Sequence, residues 1–481
     1  MPNDLIPDWL AHRASVLPAH PAVVAGDLTL TYGELNTRVL GLAGALQQAG
    51  IRPGDRVAVL CTNSLELVEA AHAVPRAGAT LVLLNCRLTP DELAFQLRDA
   101  GVRLLLCHEA TRTAAIEAAA IAGCESPLTL PLPPATCVQP VDRHALDDAH
   151  SIIYTSGTTG RPKGAVLTFG NFAASAAGSA FNLGVTPADQ WLACMPLFHV
   201  GGLSIVLRSA IYGTTMVLHP GFDEREVVRA LHESPISHIS VVPTMLQRLL
   251  DADERPSPPA LRVVLVGGGP VTPELLDRAL ARGFPVIQTY GLTEAASQVA
   301  TLSPGDARAH VGSAGKPLVT TSLRIDAPAG EPGEILVSGP TITPGYFRNP
   351  EATAAAIQDG WLHTGDVGRL DDDGFLYVLD RRDDLIVSGG ENVYPAEVEA
   401  ALLAFPSVLE AAVFGVADPR WGQVVAAAVV WSGPTEGTDL EAFLRGRLAG
   451  YKVPRLIRRV DSLPRTASGK IQRRLVREQF E

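Results

Sequence analysis

The stretch YTSGTTGRPKG, residues 154–164, sets Thr155, Ser156, Thr158 and Thr159 around Gly157 and Gly160 and closes on Lys163 and Gly164. Glycine-freed backbone N–H groups, hydroxyls and one lysine are what a loop needs to wrap phosphate oxygens. The same composition suits a polar surface turn, and on composition alone the two weigh equally. It is not a Walker A loop, because no Gly-Lys pair in the chain is followed by Ser or Thr. A second feature is HVGGLSIVLRSAIYG, residues 199–213, almost all apolar yet carrying Arg208. A guanidinium stays charged at any ordinary pH, so either water or an anion must meet it. A third is the tail from Arg445 to Arg477, with eleven Lys/Arg and a single acid, Asp461. It suits a phosphate-rich ligand, nucleic acid or solvent; only Tyr451 interleaves it, so stacking on bases is not expected.

These residues need a frame. RVAVL (56–60), SIIYT (151–155), TMVL (215–218), HISVV (238–242) and RVVLV (262–266) read as strands, and 222–234 and 272–283 as helices. The second helix has Thr272 as N-cap, Pro273 at its first position and Gly283 at its end. Such alternation predicts a largely parallel α/β sheet with helices on its faces. Near residue 320 the pattern changes to strands around a Gly/Pro turn, a small β-rich subdomain. A further unit starts near residue 380, with a helix opening at Pro395 and a strand over 411–416. The expected layout is a large N-terminal domain of layered α/β subdomains, residues 1–380, and a mobile α+β C-terminal domain, residues 381–481.

Read as a helix, the second feature puts Leu203, Val206, Leu207, Ala210 and Ile211 on one apolar stripe. Ser204, Arg208 and Tyr212 fall on another. Arginines are mostly exposed, which favours a stripe facing water. The sharper alternative is a polar stripe facing a ligand pocket.

Composition narrows the classes. The chain has 481 residues, 47% hydrophobic and 19% charged, with net charge −12. That fits a globular protein and argues against a general binder of nucleic acid or anionic membranes. Six scattered cysteines form no CxxC pair, so no zinc ribbon or redox motif is expected. The N-terminus lacks a basic segment followed by an apolar core, so a cytoplasmic location without a signal peptide is expected. No GxSxG elbow or HExxH pair occurs, which disfavours a hydrolase or zincin.

The exact string 154–164 resembles the phosphate loop of adenylate-forming enzymes: acyl-CoA synthetases, adenylation domains and luciferases. Other motifs of that superfamily follow in order: LFHVGG (197–202), GGGP (267–270), TYGLTE (289–294), GWLHTGD (360–366), DRRDDLIVSGGENVYPAEVE (380–399) and PRTASGK (464–470). The resemblance covers nearly the whole chain. It implies that ATP, Mg²⁺ and coenzyme A are used in two half-reactions, acyl-adenylate formation and then thioester formation. Lys470 would bridge the carboxylate and the α-phosphate, and Thr293 would hold that phosphate. Glu294 would ligate Mg²⁺. Thr155, Ser156, Gly157, Thr158, Thr159, Gly160 and Lys163 would cradle the β- and γ-phosphates. Tyr290 would stack on adenine beside Gly268 and Gly269. Asp366, supported by Arg381, would bind the ribose. His199 would gate the acyl site, Asp383 would be the hinge, and Gly389 and Gly390 would line the pantetheine tunnel. The tail's other charges would suit polyanionic coenzyme A, and a homodimer is implied only through the resemblance.

A narrower resemblance concerns the acid. Residues 197–218, 267–298 and 311–318 resemble the o-succinylbenzoate–CoA ligase family of menaquinone synthesis. That substrate has two carboxylates, one activated and one free on the ring. Arg208 would meet the free one, with Ser204 on its stripe and Ser297 and Gln298 as hydrogen-bonding neighbours. The alternatives are a ligase for another acid, an adenylation enzyme loading a carrier protein, and a non-catalytic nucleotide-binding regulator.

Overall fold

The computed structural model describes residues 5–155, 162–269, 271–381, 385–432, 438–464, 471 and 473–480. The short β-branched runs become strands buried on both faces, as parallel strands covered by helices must be; Thr215–Leu218, His238–Val241 and Val263–Val266 are buried at every residue. The predicted sheet is two sheets. In the first, Val286–Leu292, Val263–Val266, His238–Val241, Gln190–Ala193, Thr215–Leu218 and Pro21–Ala25 lie side by side and parallel, with antiparallel strands at both edges. In the second, Ala149–Thr155, Thr80–Leu83, Arg56–Leu60, Leu104–Cys107 and Leu128–Thr129 are parallel, and Lys163–Thr168 pairs antiparallel with Ala149–Thr155 across the phosphate-loop segment.

A third, antiparallel sheet holds Ser322–Asp326, Gly333–Ser338, Trp361–Leu370 and Leu376–Arg381, which answers the expected change of pattern near 320. A fourth is formed by Ile386–Ser388, Glu391–Val393, Val408–Asp418, Gly422–Trp431 and Leu456–Arg459, with the helices Pro395–Leu403 and Thr438–Arg445 over its own apolar core. The helix Pro273–Ala281 is capped by Thr272, whose side chain accepts from the Leu275 N–H. Among the described residues no helix is long and apolar enough to cross a membrane.

The helix Val200–Tyr212 ends on Gly213 in the left-handed region, as its spacing predicts. Its surroundings differ from an amphipathic surface helix. Residues 202–210 are all buried, so no stripe of it faces water. The helices Trp9–Val16, Leu65–Arg76 and Phe169–Leu183 pack around it, together with strands of the first sheet. The polar stripe therefore has to find its partners inside the protein.

Candidate active site

A cavity of about 450 Å³ opens where both parallel sheets end at their carboxyl edges. Gly267 and Gly268 follow Val263–Val266, Val242 follows His238–Val241, and Asn85 follows Thr80–Leu83; all line it. Loops beyond strand carboxyl ends are where open α/β sheets hold ligands, because connections diverge there and leave a crevice.

At one end lie groups suited to phosphate. Thr155 ends its strand and donates to Glu294 Oε1 at 3.3 Å, and the Tyr346 hydroxyl donates to the same oxygen at 2.9 Å. Lys163 Nζ stands 5.4 Å from the Tyr346 ring centroid. Thr155, Lys163, Thr293 and Glu294 all line the cavity. A lone carboxylate among hydroxyls matches how Mg²⁺ binds, through one or two carboxylates plus substrate phosphates. Among the described residues no group of three or more His, Cys, Asp or Glu forms an all-protein metal cage. Asp366 lies on the wall in Trp361–Leu370 and accepts from the Tyr290 hydroxyl at 2.6 Å. Its strand neighbour is Arg381, by backbone register.

At the other end lies Arg208. It is 3% exposed and on the cavity wall. Its Nη2 donates to Ser175 Oγ at 2.9 Å, and among the described residues no carboxylate stands within ion-pair distance. Burial pushes its pKa down from the ordinary arginine value. Ser297 and Gln298 share this wall, and both polar atoms of the buried Gln298 amide lack a partner among the described residues. A guanidinium with no counter-ion and an amide with no partner among the described residues, both buried on the wall of one cavity, are costly unless a ligand meets them.

The third wall comes from the C-terminal sheet. Gly390 and Glu391 reach the cavity, Gly390 lying against Val242. The Glu391 carboxylate is 3% exposed and accepts from Arg87 Nη1 at 2.6 Å, from Asn85 Nδ2 at 3.2 Å, and meets His199 Nε2 at 3.2 Å. Burial would raise its pKa, but His199, Arg87 and Lys452 outweigh it and hold the carboxyl below its ordinary value. Close by, Lys452 Nζ bridges Glu92 Oε1 and Glu397 Oε1, each at 2.7 Å.

Residues 10–347 match the AMP-binding enzyme family, and residues 397–470 match the AMP-binding enzyme C-terminal domain. The chain belongs to the AMP-binding enzyme family. It is 45% identical to the 2-succinylbenzoate–CoA ligase of Bacillus licheniformis over 97% of this chain and 98% of that one. It superposes with TM-score 0.94 on a double mutant of the o-succinylbenzoate CoA synthetase of Bacillus subtilis bound to the product analogue OSB-NCoA, at 41% identity over 98% of both chains. The same relative in complex with the acyl-adenylate OSB-AMP gives 0.75 at equal identity and coverage. With sequence and coverage matched, the difference is one of arrangement, and this AMP-binding enzyme has the arrangement of the product-analogue complex.

Several expectations need correction. Ser204 does not reach the cavity: it is 2% exposed, and its hydroxyl has no partner among the described residues. It sits one turn before Arg208, where short side chains point into helix packing. Tyr290 is 4% exposed and packs with Ala295, Val299 and Ile335 in a small core, so its ring lies behind the wall and its hydroxyl donates to Asp366. Gly389 also stands back; a Cβ there would lie 2.7 Å from the Trp421 ring. Gly269 faces Pro243 and Val387, outside the wall. Lys452, expected among charges free for coenzyme A, is buried between two glutamates, and Arg473 is paired with Glu399. Ser156, Gly157, Thr158, Thr159, Gly160, Asp383 and Lys470 lie outside the described residues, as does the Arg381 side chain.

Sequence reasoning did not pick out Ser175, Tyr346, Arg87 or Glu391. Glu391 had a signal, its place in the SGGEN loop. The others are ordinary residues in ordinary helices and loops, and only long-range packing brings them to the site.

Proposed function

We propose that this protein activates o-succinylbenzoate with ATP and transfers the acyl group to coenzyme A, one step of menaquinone synthesis. In the first half-reaction the succinyl carboxylate attacks the α-phosphate, forming acyl-adenylate and releasing pyrophosphate. In the second the coenzyme A thiol attacks the acyl carbon, a thioester forms, and AMP leaves. The observation that carries the choice of acid is Arg208, a buried guanidinium on the wall of this cavity with no carboxylate within ion-pair distance among the described residues. A ring carboxylate supplies that anion in a charge-assisted, bidentate geometry. A simple fatty acid has nothing to offer it.

The other roles follow from charge. Two anions must meet, so positive charge has to be in place beforehand. Lys163 and the 154–164 loop would take the outer phosphates, and Thr293 the α-phosphate. Lys470 would join the carboxylate to it. Glu294, oriented by Tyr346 and Thr155, would hold Mg²⁺, which neutralises phosphate charge. Asp366, held by Tyr290, would accept from ribose hydroxyls. His199, drawn to Glu391, would leave the acyl site open for the thiol. Rotation about Asp383 would exchange Lys470 for the Gly390–Glu391 wall between half-reactions. The same reading puts the reaction in the cytoplasm, where ATP and coenzyme A are supplied, and a homodimer is read by sedimentation.

The test is ATP–pyrophosphate exchange and coenzyme A-dependent AMP release over a panel of carboxylic acids. o-Succinylbenzoate should give the highest kcat/KM for both. A higher value with an acid lacking a second carboxylate would overturn the assignment, and exchange without AMP release would point to a different acceptor.

A further inference from the structure

The helix Phe169–Leu183 begins directly after the strand Lys163–Thr168 and packs beside Val200–Tyr212. Ser175 lies on it, 1% exposed. Its Oγ accepts from Arg208 Nη2 at 2.9 Å and donates to the Ala296 carbonyl at 2.6 Å. A hydroxyl has one proton, so both bonds together fix its direction: the proton goes to Ala296 and a lone pair to Arg208. Ala296 and Ser297 are both left-handed, φ 49° and 101°. Neither is glycine, so that turn is strained and its surroundings must hold it. The Ser297 carbonyl also presses on Gly291, where a Cβ would lie 1.8 Å away. Glu294 stands two residues before the turn and Gln298 directly follows it. One buried hydroxyl thus ties the one Arg208 nitrogen with a protein partner among the described residues to the turn between the phosphate end and the acyl end.

We propose that Ser175 is a positioning residue that sets selectivity for an acid with a second carboxylate, by holding the Arg208 guanidinium and the Ala296–Ser297 turn in one fixed geometry. An arginine has about two kcal/mol of rotamer freedom and five donors. Among the described residues one donor is placed, by Ser175. Without that hydroxyl the guanidinium is free to leave the wall, and the turn loses a donor on Ala296. This rests on the substrate reading above, and its test separates the two.

The experiment measures kcat and KM for o-succinylbenzoate and for 3-benzoylpropionate, the same acid without the ring carboxylate. The proteins are wild type, Ser175→Ala, Arg208→Ala and the double variant. Ser175→Ala should lower the preference for the diacid about tenfold, mainly through KM, as loss of a hydrogen bond to a charged group does. In the Arg208→Ala background the same change should alter the preference less than about twofold, since the two act as one unit. An equal loss on both acids is what a structural role gives, and it overturns the proposal. So does a preference kept in Ser175→Ala but lost in Arg208→Ala, which leaves the substrate reading standing. Wild type without any preference for the diacid overturns that reading, and the proposal with it.

Discussion

Arg208→Ala is the sharpest test of the acyl site. The guanidinium is 3% exposed and faces the cavity, so an anion meeting it is drawn out of water. Truncating one partner of a desolvated charge pair costs about 2–5 kcal/mol, much of it the penalty on the charge left behind. The cavity, about 450 Å³, admits water in place of the lost side chain, which keeps the loss near the lower end. About 2–3 kcal/mol corresponds to roughly 30- to 160-fold in kcat/KM for o-succinylbenzoate. Arg208→Lys keeps the charge but loses the fork and the contact with Ser175, and should fall about tenfold. Stability should move the other way. Arg208 has no ion-pair partner among the described residues, so Arg208→Met removes a buried, unpaired charge and should leave Tm unchanged or raise it. Initial rates of AMP release and a thermal melt read both effects. Equal activity losses on diacid and monoacid, or a Met variant that melts many degrees lower, would show that Arg208 is a structural group and refute the assignment.

Other outcomes follow from the same structure. Lys452→Met removes a buried bridge to Glu92 and Glu397 and should slow thioester formation from acyl-adenylate about tenfold, with pyrophosphate exchange within about twofold. Equal slowing of both would count against a contact specific to this arrangement. Gly389→Ala places a Cβ 2.7 Å from the Trp421 ring at φ 59° and should cost about 1–3 kcal/mol and slow the same step, whereas Gly374→Ala, at φ 81° with open space, should cost about 1 kcal/mol and leave both steps alone. His72 and His150 are buried near Asp8, Arg76 and His144, and burial above all pushes them down to about 4 and about 3. They are neutral when folded and take up protons near 6.5 once unfolded. Their stabilisation is complete above that pH and is lost as pH falls towards the folded values, ~2 kcal/mol per histidine at pH 5. Tm should therefore drop between pH 7 and 5, less steeply in His150→Phe; equal slopes would reject this origin.

Much of the frame is legible locally. Strand bounds such as Arg56–Leu60 and Thr215–Leu218, and the helix Val200–Tyr212 with its Gly213 terminator, coincide with what short-range pattern and capping predict. Motif order was enough to point to the family. These properties depend on residues within a few positions of one another, which is what periodicity and turn chemistry encode. Locally, however, the Ser204–Arg208–Tyr212 stripe looked like a solvent face or a pocket face, and nothing in the spacing separates the two.

Tertiary structure decided that question and split the stripe. Arg208 reaches the cavity, Ser204 is enclosed, and the Tyr212 hydroxyl donates to Ala176. Partner choice lies beyond local pattern because it spans the chain: Ser175 is 33 residues from Arg208, Glu391 is 192 from His199, and Lys452 is 360 from Glu92. Local pattern along the chain encodes the elements, the family and the kinds of charge available. Packing of distant elements decided which charges are buried and paired, and left Arg208 buried with no acid within ion-pair distance among the described residues, because desolvation and ion pairing depend on what surrounds a side chain.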